Sequence, residues 1–256
     1  MNIYMDQELD ERVWYSGSST DDESSRSALI AVSGNTGAGK STLINIVAKE
    51  LEKHLRRDVI ALNERHFHHP LLRKMFENPK EYAFGIQLNF LLQRYLCLKN
   101  LLMSGFVVMS ERSHYDDMLF LEHHFDQNNI STYERKLYSE LSEHVRQQLP
   151  IPDIWLLLDV SPVVSRKRID DAEANGERPK EFPNDIIKQE FIDSWYKKYN
   201  KFFRYLKDQI SSNALFKDST YIAINSSMQS SEENYLKLSN EIVDILTAKL
   251  YNPPIN

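Results

Sequence analysis

The stretch that decides the fold is the apolar run Leu29-Ile-Ala-Val-Ser33, followed by Gly34, Asn35, Thr36, Gly37, Ala38, Gly39, Lys40 and Ser41. Its second part matches the pattern G-x-x-x-x-G-K-[ST] and opens a helical segment. Glycines let the backbone curl so that successive N–H groups point at a β-phosphate, and the positive end of the following helix adds to this attraction. The stretch therefore predicts a strand, a phosphate-binding loop and a helix.

The loop also assigns roles to individual residues. We expect residues 34–41 and the adjoining Thr42 to hold the phosphates of ATP or another NTP, with Lys40 at the β- and γ-oxygens and the Ser41 hydroxyl on Mg²⁺. A glycine-rich turn is the alternative, but turn chemistry explains only the glycines, not Lys40 and Ser41 in register after a strand. The loop leaves the reaction open, because GTPases, ATPase motors and small-molecule kinases all use it.

From residue 28 onward, short apolar runs alternate with long amphipathic segments, as is typical of βα units on a parallel sheet. Residues 28–256 are therefore predicted to form one three-layer α/β domain, with strands at 29–33, 58–62, 106–110, 154–160 and 221–224. Helices are expected near 41–55, 81–104, 115–125, 132–148, 163–172, 184–212 and 232–250. The site should lie at the carboxyl ends of the strands.

The composition limits the class of partner. The 256 residues carry a formal net charge of −6, which argues against holding a nucleic-acid backbone and favours small substrates. The single cysteine, Cys97, excludes an intramolecular disulfide and indicates a reducing cytoplasm. No apolar run approaches the roughly 18–20 residues that span a bilayer, so no membrane association is expected.

The N-terminal segment, residues 1–27, is acidic and rich in serine. Such a composition predicts a disordered tail, because too little apolar surface is present to offset the entropy of ordering. A regulatory or partner-binding arm is the alternative. The segment lacks the pattern of a signal peptide.

Three further stretches resemble the deoxynucleoside kinase family, particularly its bacterial deoxyadenosine and deoxyguanosine kinases. They are Glu64 with His69-Pro-Leu-Leu72, Asn78-Pro-Lys-Glu-Tyr-Ala-Phe84 running to Gln87 and Arg94, and Ser110-Glu-Arg-Ser-His-Tyr-Asp-Asp117. The resemblance covers approximately residues 28–203. It implies a P-loop kinase fold with a short lid at about 170–183, a homodimer, and phosphorylation of the 5′-hydroxyl of a deoxynucleoside by ATP with Mg²⁺.

Glu64 and Arg112, together with Lys40 of the loop, are the candidates for catalysis, and Glu111 is a candidate for holding Mg²⁺. A carboxylate at a strand end, such as Glu64, could accept the proton of an attacking hydroxyl, and the resemblance implies that it is the general base. A solvated loop carboxylate is the alternative, and Arg65 stands where the family usually has proline. Glu111 and Arg112 could hold Mg²⁺ waters and neutralise the transferring phosphoryl group; a local ion pair beside a helix-capping Ser113 is the alternative.

Gln87 and Arg94 are candidates for base recognition. Seven residues apart on a helix, they share one face, and a buried glutamine offers the donor and the acceptor that suit the edge of a base. The resemblance implies that they read the base together with Asp117. This favours a purine deoxynucleoside or deoxycytidine over thymidine, whereas an ordinary surface glutamine is the alternative.

The segment after the fourth predicted strand is expected to carry the lid. Arg166, Lys167 and Arg168 place three cations near the donor phosphates, unless they form a solvated helix face. The resemblance implies that Arg178 also contacts the donor and that Glu181 binds the sugar. Two departures affect this assignment: Phe76 replaces the family tyrosine at the sugar 3′-hydroxyl, and the lid is longer and acidic where the family usually has another arginine.

Two other patterns carry no site. The histidines at 66, 68, 69, 123 and 124 lack the spacing of a metal site, so we predict none there. The aromatic run 195–205 has helical spacing and is expected in the core or at a dimer interface, with base stacking as the alternative.

Three rival functions stay open on the sequence. The first is a kinase acting on a nucleoside monophosphate or a ribonucleoside. The second is a nucleotide-dependent switch or motor, although no Asn-Lys-x-Asp guanine motif is present. The third is a degenerate binding protein that keeps the loop without the chemistry.

Overall fold

The computed structural model describes residues 27–67, 69–228 and 232–251. Within them, five parallel strands form one sheet in the order β2-β3-β1-β4-β5. The strands are β1 (Ala28–Gly34), β2 (Val59–Leu62), β3 (Val107–Glu111), β4 (Ile154–Asp159) and β5 (Thr220–Asn225). The prediction of a five-stranded parallel α/β fold is confirmed. The expected N-terminal tail, apart from Ser27, lies outside the described residues, as does His68.

Helices connect the strands and cover both faces of the sheet. In the described part of the chain they are α1 (Lys40–Leu55), α2 (Leu72–Glu77), α3 (Pro79–Met103), α4 (Asp117–Asp126), α5 (Thr132–Gln148), α6 (Pro162–Ala174), α7 (Asp185–Ser212) and α8 (Glu232–Tyr251). None of these helices is both long and apolar enough to cross a membrane.

The central strand β1 is buried along its whole length, as expected for a parallel strand covered on both faces. Its even-numbered residues, such as Ile30 and Val32, pack with apolar residues of α1 and α8. Its odd-numbered residues face the other way: Leu29 packs in the cluster of α3 and α5, and Ala31 packs with the aromatic side chains of α7. This alternation produces three layers with the sheet in the middle.

The order of the strands positions the site. Because β3 and β4 flank β1, their carboxyl ends lie on either side of the loop that follows Gly34. The register pairs Val32 with Glu111 and Gly34 with Leu158. The last residue of β3 therefore lies beside the start of the phosphate loop.

Some elements differ from the sequence-based prediction. The short helix α2 and a 3-10 turn at Glu64–Phe67 were not predicted, because segments of six and four residues are too short to show a helical repeat. Helix α4 begins at Asp117 rather than at 115, since residues 113–116 form a turn in which the Ser113 N–H donates to Asp116. Helix α6 continues to Ala174, so the expected lid at 170–183 begins inside a helix.

The aromatic run on α7 belongs mostly to the core. Trp195, Tyr199, Phe202 and Phe203 are buried and pack against the sheet around Trp155. Tyr205, by contrast, is exposed. The core interpretation of this run therefore applies to its inward-facing residues.

Candidate active site

The phosphate loop lies between the end of β1 and the start of α1. Gly37 and Gly39 have φ angles of 71° and 86°, in the left-handed region that glycine adopts without steric penalty. The loop is held from outside: Asn35 Nδ2 donates to the Ile192 carbonyl of α7 at 3.0 Å, and Ser165 Oγ of α6 donates to the Thr36 carbonyl. Helices α6 and α7 therefore fix the shape of the loop.

Lys40 lies buried at the centre of this loop. Its Nζ donates to the Asn35 carbonyl at 2.9 Å and lies 3.5 Å from Glu111 Oε1. Burial, together with the neighbouring Arg112 charge, lowers the pKa of Lys40 to about 8. A polyphosphate placed here would add negative charge beside this buried ammonium group, whose carboxylate partner Glu111 lies 3.5 Å away.

Ser41 and Glu111 meet at the base of the loop. Ser41 Oγ donates to Glu111 Oε2 at 2.8 Å, and the Glu64 backbone N–H donates to the same oxygen at 3.2 Å. A hydroxyl and a carboxylate are oxygen ligands of the kind that Mg²⁺ prefers, and Mg²⁺ typically takes only one or two protein ligands beside phosphates and waters. The pair therefore fits a magnesium ion bound with a triphosphate.

Arg112 follows β3 and points back toward the loop. Its Nε donates to Glu64 Oε1 at 2.7 Å, its Nη1 donates to the Gly34 carbonyl at 3.2 Å, and its guanidinium lies 4.6 Å from the centre of the Phe120 ring. Burial alone would lower the pKa of Arg112, but the Glu64 carboxylate raises it well above its ordinary value. The structure thus brings Glu64, Arg112 and Lys40 together at one edge of the sheet.

A cavity opens beside these residues. Charged groups and the loop line one side, and apolar and aromatic side chains line much of the rest. The lining residues are Thr36, Glu64, Leu72, Met75, Phe76, Gln87, Phe90, Arg112, Asp117, Phe120, His124, Arg178, Glu181, Phe182 and Phe191.

Gln87 and Asp117 both face this cavity and are both buried. The Gln87 amide makes a weak contact, from Nε2 to Met75 Sδ at 3.9 Å. Arg94 lies behind Asp117 and does not line the cavity: its Nε donates to Asp117 Oδ2 at 3.1 Å and its Nη1 to the Glu111 carbonyl at 2.8 Å. Burial raises the pKa of Asp117, and the Arg94 charge opposes this effect.

The arginine side chains of the expected lid contact different partners. Arg168 lies against the loop, with Nη1 3.4 Å from the carbonyls of Gly37 and Ala38. Arg166 does not contact the loop and instead pairs with Asp170 and Asp185 at 2.7 Å each. In this structure Arg166 therefore lies away from the loop, and its place at the donor phosphates stays a prediction. Residues two positions apart on a helix point in nearly opposite directions, which separates Arg166 from Arg168.

The far end of the lid reaches the cavity. Arg178 Nη2 donates to Glu181 Oε2 at 2.6 Å, and both side chains line the cavity. Phe76 also lines it, with its ring 4.8 Å from that of Phe182 and 5.5 Å from that of Phe191. Phe76, which the family resemblance matched to a sugar-binding tyrosine, is thus part of an apolar wall.

Two residues of the site were missed from the sequence. Asp116 is fully buried beside Asp117, and Tyr199 of α7 contacts both Asp116 and Arg112. The signal available for Asp116 was its place in a turn after β3, where a short polar side chain often bonds the backbone. Tyr199 gave no such signal, because it stands among the core aromatic residues of a long helix.

The fold and the site together define a P-loop kinase. A family model described as deoxynucleoside kinase matches residues 30–247 of the chain. The chain therefore belongs to the deoxynucleoside kinase family, and the prediction of a deoxynucleoside kinase is confirmed.

Individual relatives agree with this assignment. The chain is 33% identical over 181 residues to a deoxyguanosine kinase of Lactobacillus johnsonii, covering 67% of this chain and 78% of the relative. It is 28% identical over 183 residues to a deoxyadenosine kinase of Lactobacillus acidophilus, covering 67% and 81%. Among solved structures, deoxyadenosine kinase from M. mycoides with bound dATP has the same fold, with a TM-score of 0.62 and 20% identity over 85% of this chain and 99% of that one.

Proposed function

We propose that the protein transfers the γ-phosphate of ATP, or of another NTP, to the 5′-hydroxyl of a deoxynucleoside. The observation that carries this proposal is the position of Arg112. One guanidinium bonds both Glu64, at the cavity, and the carbonyl of Gly34, the first residue of the phosphate loop. A hydroxyl bound next to Glu64 would therefore lie close to the terminal phosphate held by the loop.

In this mechanism the residues around the loop supply binding and charge. Lys40 and the backbone N–H groups of residues 34–42 hold the phosphates, Arg168 and Arg178 add positive charge, and Arg112 stabilises charge on the transferring group. Glu64 accepts the proton of the 5′-hydroxyl as the O5′–P bond forms and the bond to the β-phosphate oxygen breaks, which releases ADP. Ser41 and Glu111 would hold Mg²⁺, which neutralises phosphate charge when bound.

The cavity supports recognition of a purine deoxynucleoside or deoxycytidine. Gln87 is 2% exposed, and among the described residues its amide has only the weak Met75 sulfur partner. A buried amide of this kind is costly unless a ligand completes its hydrogen bonds. Asp117, held by Arg94, supplies an acceptor for the amino group that adenine, guanine and cytosine carry and thymine lacks. The aromatic side chains of the wall can pack against the base and the sugar.

Glu181 is the remaining candidate for the sugar 3′-hydroxyl, because Phe76 has no hydroxyl to donate.

Homodimer formation stays a prediction from the family resemblance, and a cytoplasmic location stays one from the composition.

The first test is a panel of acceptors with purified protein and labelled ATP·Mg²⁺. The four deoxynucleosides, the ribonucleosides and the nucleoside monophosphates are compared by steady-state kinetics. Deoxyadenosine, deoxyguanosine or deoxycytidine is expected to give the highest kcat/KM. Phosphorylation of monophosphates with no reaction of neutral nucleosides would contradict the proposal.

The second test is Glu64→Gln. Because glutamine cannot accept the proton, kcat should fall by about 10²–10⁴-fold, the usual contribution of a general base, while the Kd of the deoxynucleoside changes little. Glu77→Gln, an exposed glutamate paired with Arg73 on α2, is the matched control and should keep full activity. Unchanged turnover in Glu64→Gln would remove the base assignment.

A further inference from the structure

Tyr199 joins the site from helix α7. It is 3% exposed, and its hydroxyl contacts two charged groups, Nη1 of Arg112 and Oδ1 of Asp116, the latter at 3.1 Å. A guanidinium has only donors and a carboxylate has only acceptors. The directions are therefore fixed: Arg112 donates to the tyrosine oxygen, and the tyrosine hydroxyl donates to Asp116.

Asp116 is a firm anchor for this hydroxyl. Its other oxygen, Oδ2, accepts from Ser33 Oγ at 2.9 Å, from the Ser113 backbone N–H at 2.9 Å and from Ser113 Oγ at 2.7 Å. Ser33 lies in β1 and Ser113 follows β3, so the carboxylate is fixed to the central strands. Burial raises the pKa of Tyr199 well above its ordinary value, and the Arg112 charge opposes this only partly. The phenol therefore keeps the proton that it donates.

Arg112 depends on this contact for its orientation. Its Nε bond to Glu64 fixes one point of the guanidinium, and the bond from Nη1 to the Gly34 carbonyl is longer, at 3.2 Å. The Phe120 ring faces the guanidinium plane but offers no directional bond. Without Tyr199, the group could pivot about its bond to Glu64 and move Nη1 relative to the loop.

We propose that Tyr199 is a positioning residue, which holds the Arg112 guanidinium at the orientation needed for phosphoryl transfer and is itself aligned by Asp116. This inference rests on the proposed function, because it acts through the role given to Arg112. Preorganised charge stabilises a transition state only when it is already aimed at the reacting group. Tyr199 does not line the nucleoside cavity, so its removal should affect turnover rather than nucleoside binding.

The test is Tyr199→Phe, which keeps the ring among Trp195, Phe202 and Phe203 and removes only the hydroxyl. The kcat for the best deoxynucleoside is expected to fall about tenfold, with its KM changed by less than about twofold, which is the pattern of an interaction lost in the transition state. Tyr196→Phe, a half-buried tyrosine on the same helix, is the matched control and should keep kcat.

A double-mutant cycle separates positioning from a general structural role. In the Arg112→Ala background, Tyr199→Phe should cause no further loss of kcat, because the group that it orients is gone. An equal loss in both backgrounds, or unchanged kcat in the single variant of an active protein, would overturn the positioning role alone. Absence of activity with every deoxynucleoside in the unmodified protein would overturn the proposed function and this inference with it.

Discussion

The ion pairs between α6 and α7 allow one stability change to be worked out in detail. Lys188 is 6% exposed, and its Nζ lies 2.9 Å from Asp170 Oδ1 and 2.6 Å from Glu173 Oε2. The Glu173 side chain is itself 6% exposed. In Lys188→Met the aliphatic stem would remain, but the Glu173 carboxylate would stay buried without its cation.

The size of the effect follows from these burials. Removing one partner of a buried ion pair costs about 3–5 kcal/mol. Because Asp170 is 43% exposed and keeps Arg166 at 2.7 Å, we expect a value near the lower end, about 3 kcal/mol. For a domain of this size the melting temperature should fall by about 6–12 °C.

Urea and thermal denaturation followed by circular dichroism at pH 7 measure this change. Lys198→Met is the control on the same helix, since its partner Asp126 is 62% exposed and such pairs contribute at most about 1 kcal/mol. Adding Glu173→Gln to Lys188→Met should restore part of the stability by neutralising the stranded carboxylate. A loss below about 1 kcal/mol in Lys188→Met, or a double variant no more stable than the single one, would refute the reasoning.

Two further predictions concern the loop and one buried histidine, His114. At Gly37 an added Cβ would lie 2.6 Å from the Ser165 carbonyl oxygen, and φ is +71°, so Gly37→Ala should raise the Kd for ATP at least about tenfold in calorimetry. In Gly85→Ala the added Cβ would meet no heavy atom from another part of the described structure within 4 Å, so the helix should gain about 0.5–1 kcal/mol of stability and the Kd should not change. Burial lowers the pKa of His114 from 6.5 to about 3, so below pH 6.5 the unfolded chain binds a proton that the folded chain does not. The free energy of unfolding should therefore drop as the pH falls, by about 2 kcal/mol at pH 5 from this residue. His114→Gln should flatten that slope in urea titrations from pH 7 to pH 5, and the same slope in His114→Gln as in the exposed control His144→Gln would exclude this explanation.

The phosphate loop and the alternation of strands and helices were predictable from the sequence. The apolar run before Gly34 and the glycine spacing after it depend on local chemistry alone, and the parallel sheet follows from the alternation of strands and helices. The grouping of Glu64, Glu111 and Arg112 was also predictable, because the carboxyl ends of neighbouring parallel strands meet at one edge.

The features that the sequence did not indicate depend on contacts between distant segments. The hydroxyl of Tyr199 meets partners 83 and 87 residues away in the sequence, and nothing within α7 distinguishes it from its apolar neighbours. Arg94 shares a helix face with Gln87, as predicted, yet the depth of the cavity places it behind Asp117. Arg166 turns away toward Asp170 and Asp185, which the run of three cations could not indicate.

The backbone conformation of Arg112 costs stability, whereas its side chain is needed at the site. Its φ angle of 64° lies in the left-handed region, although it is not a glycine, and this conformation costs roughly 1–2 kcal/mol for residues with a Cβ. Glycine would relieve this cost, but it would remove the guanidinium that pairs with Glu64 at 2.7 Å, and losing one partner of a buried ion pair costs about 3–5 kcal/mol. Engineering a hardier version of this protein will therefore have to draw its stability from other positions.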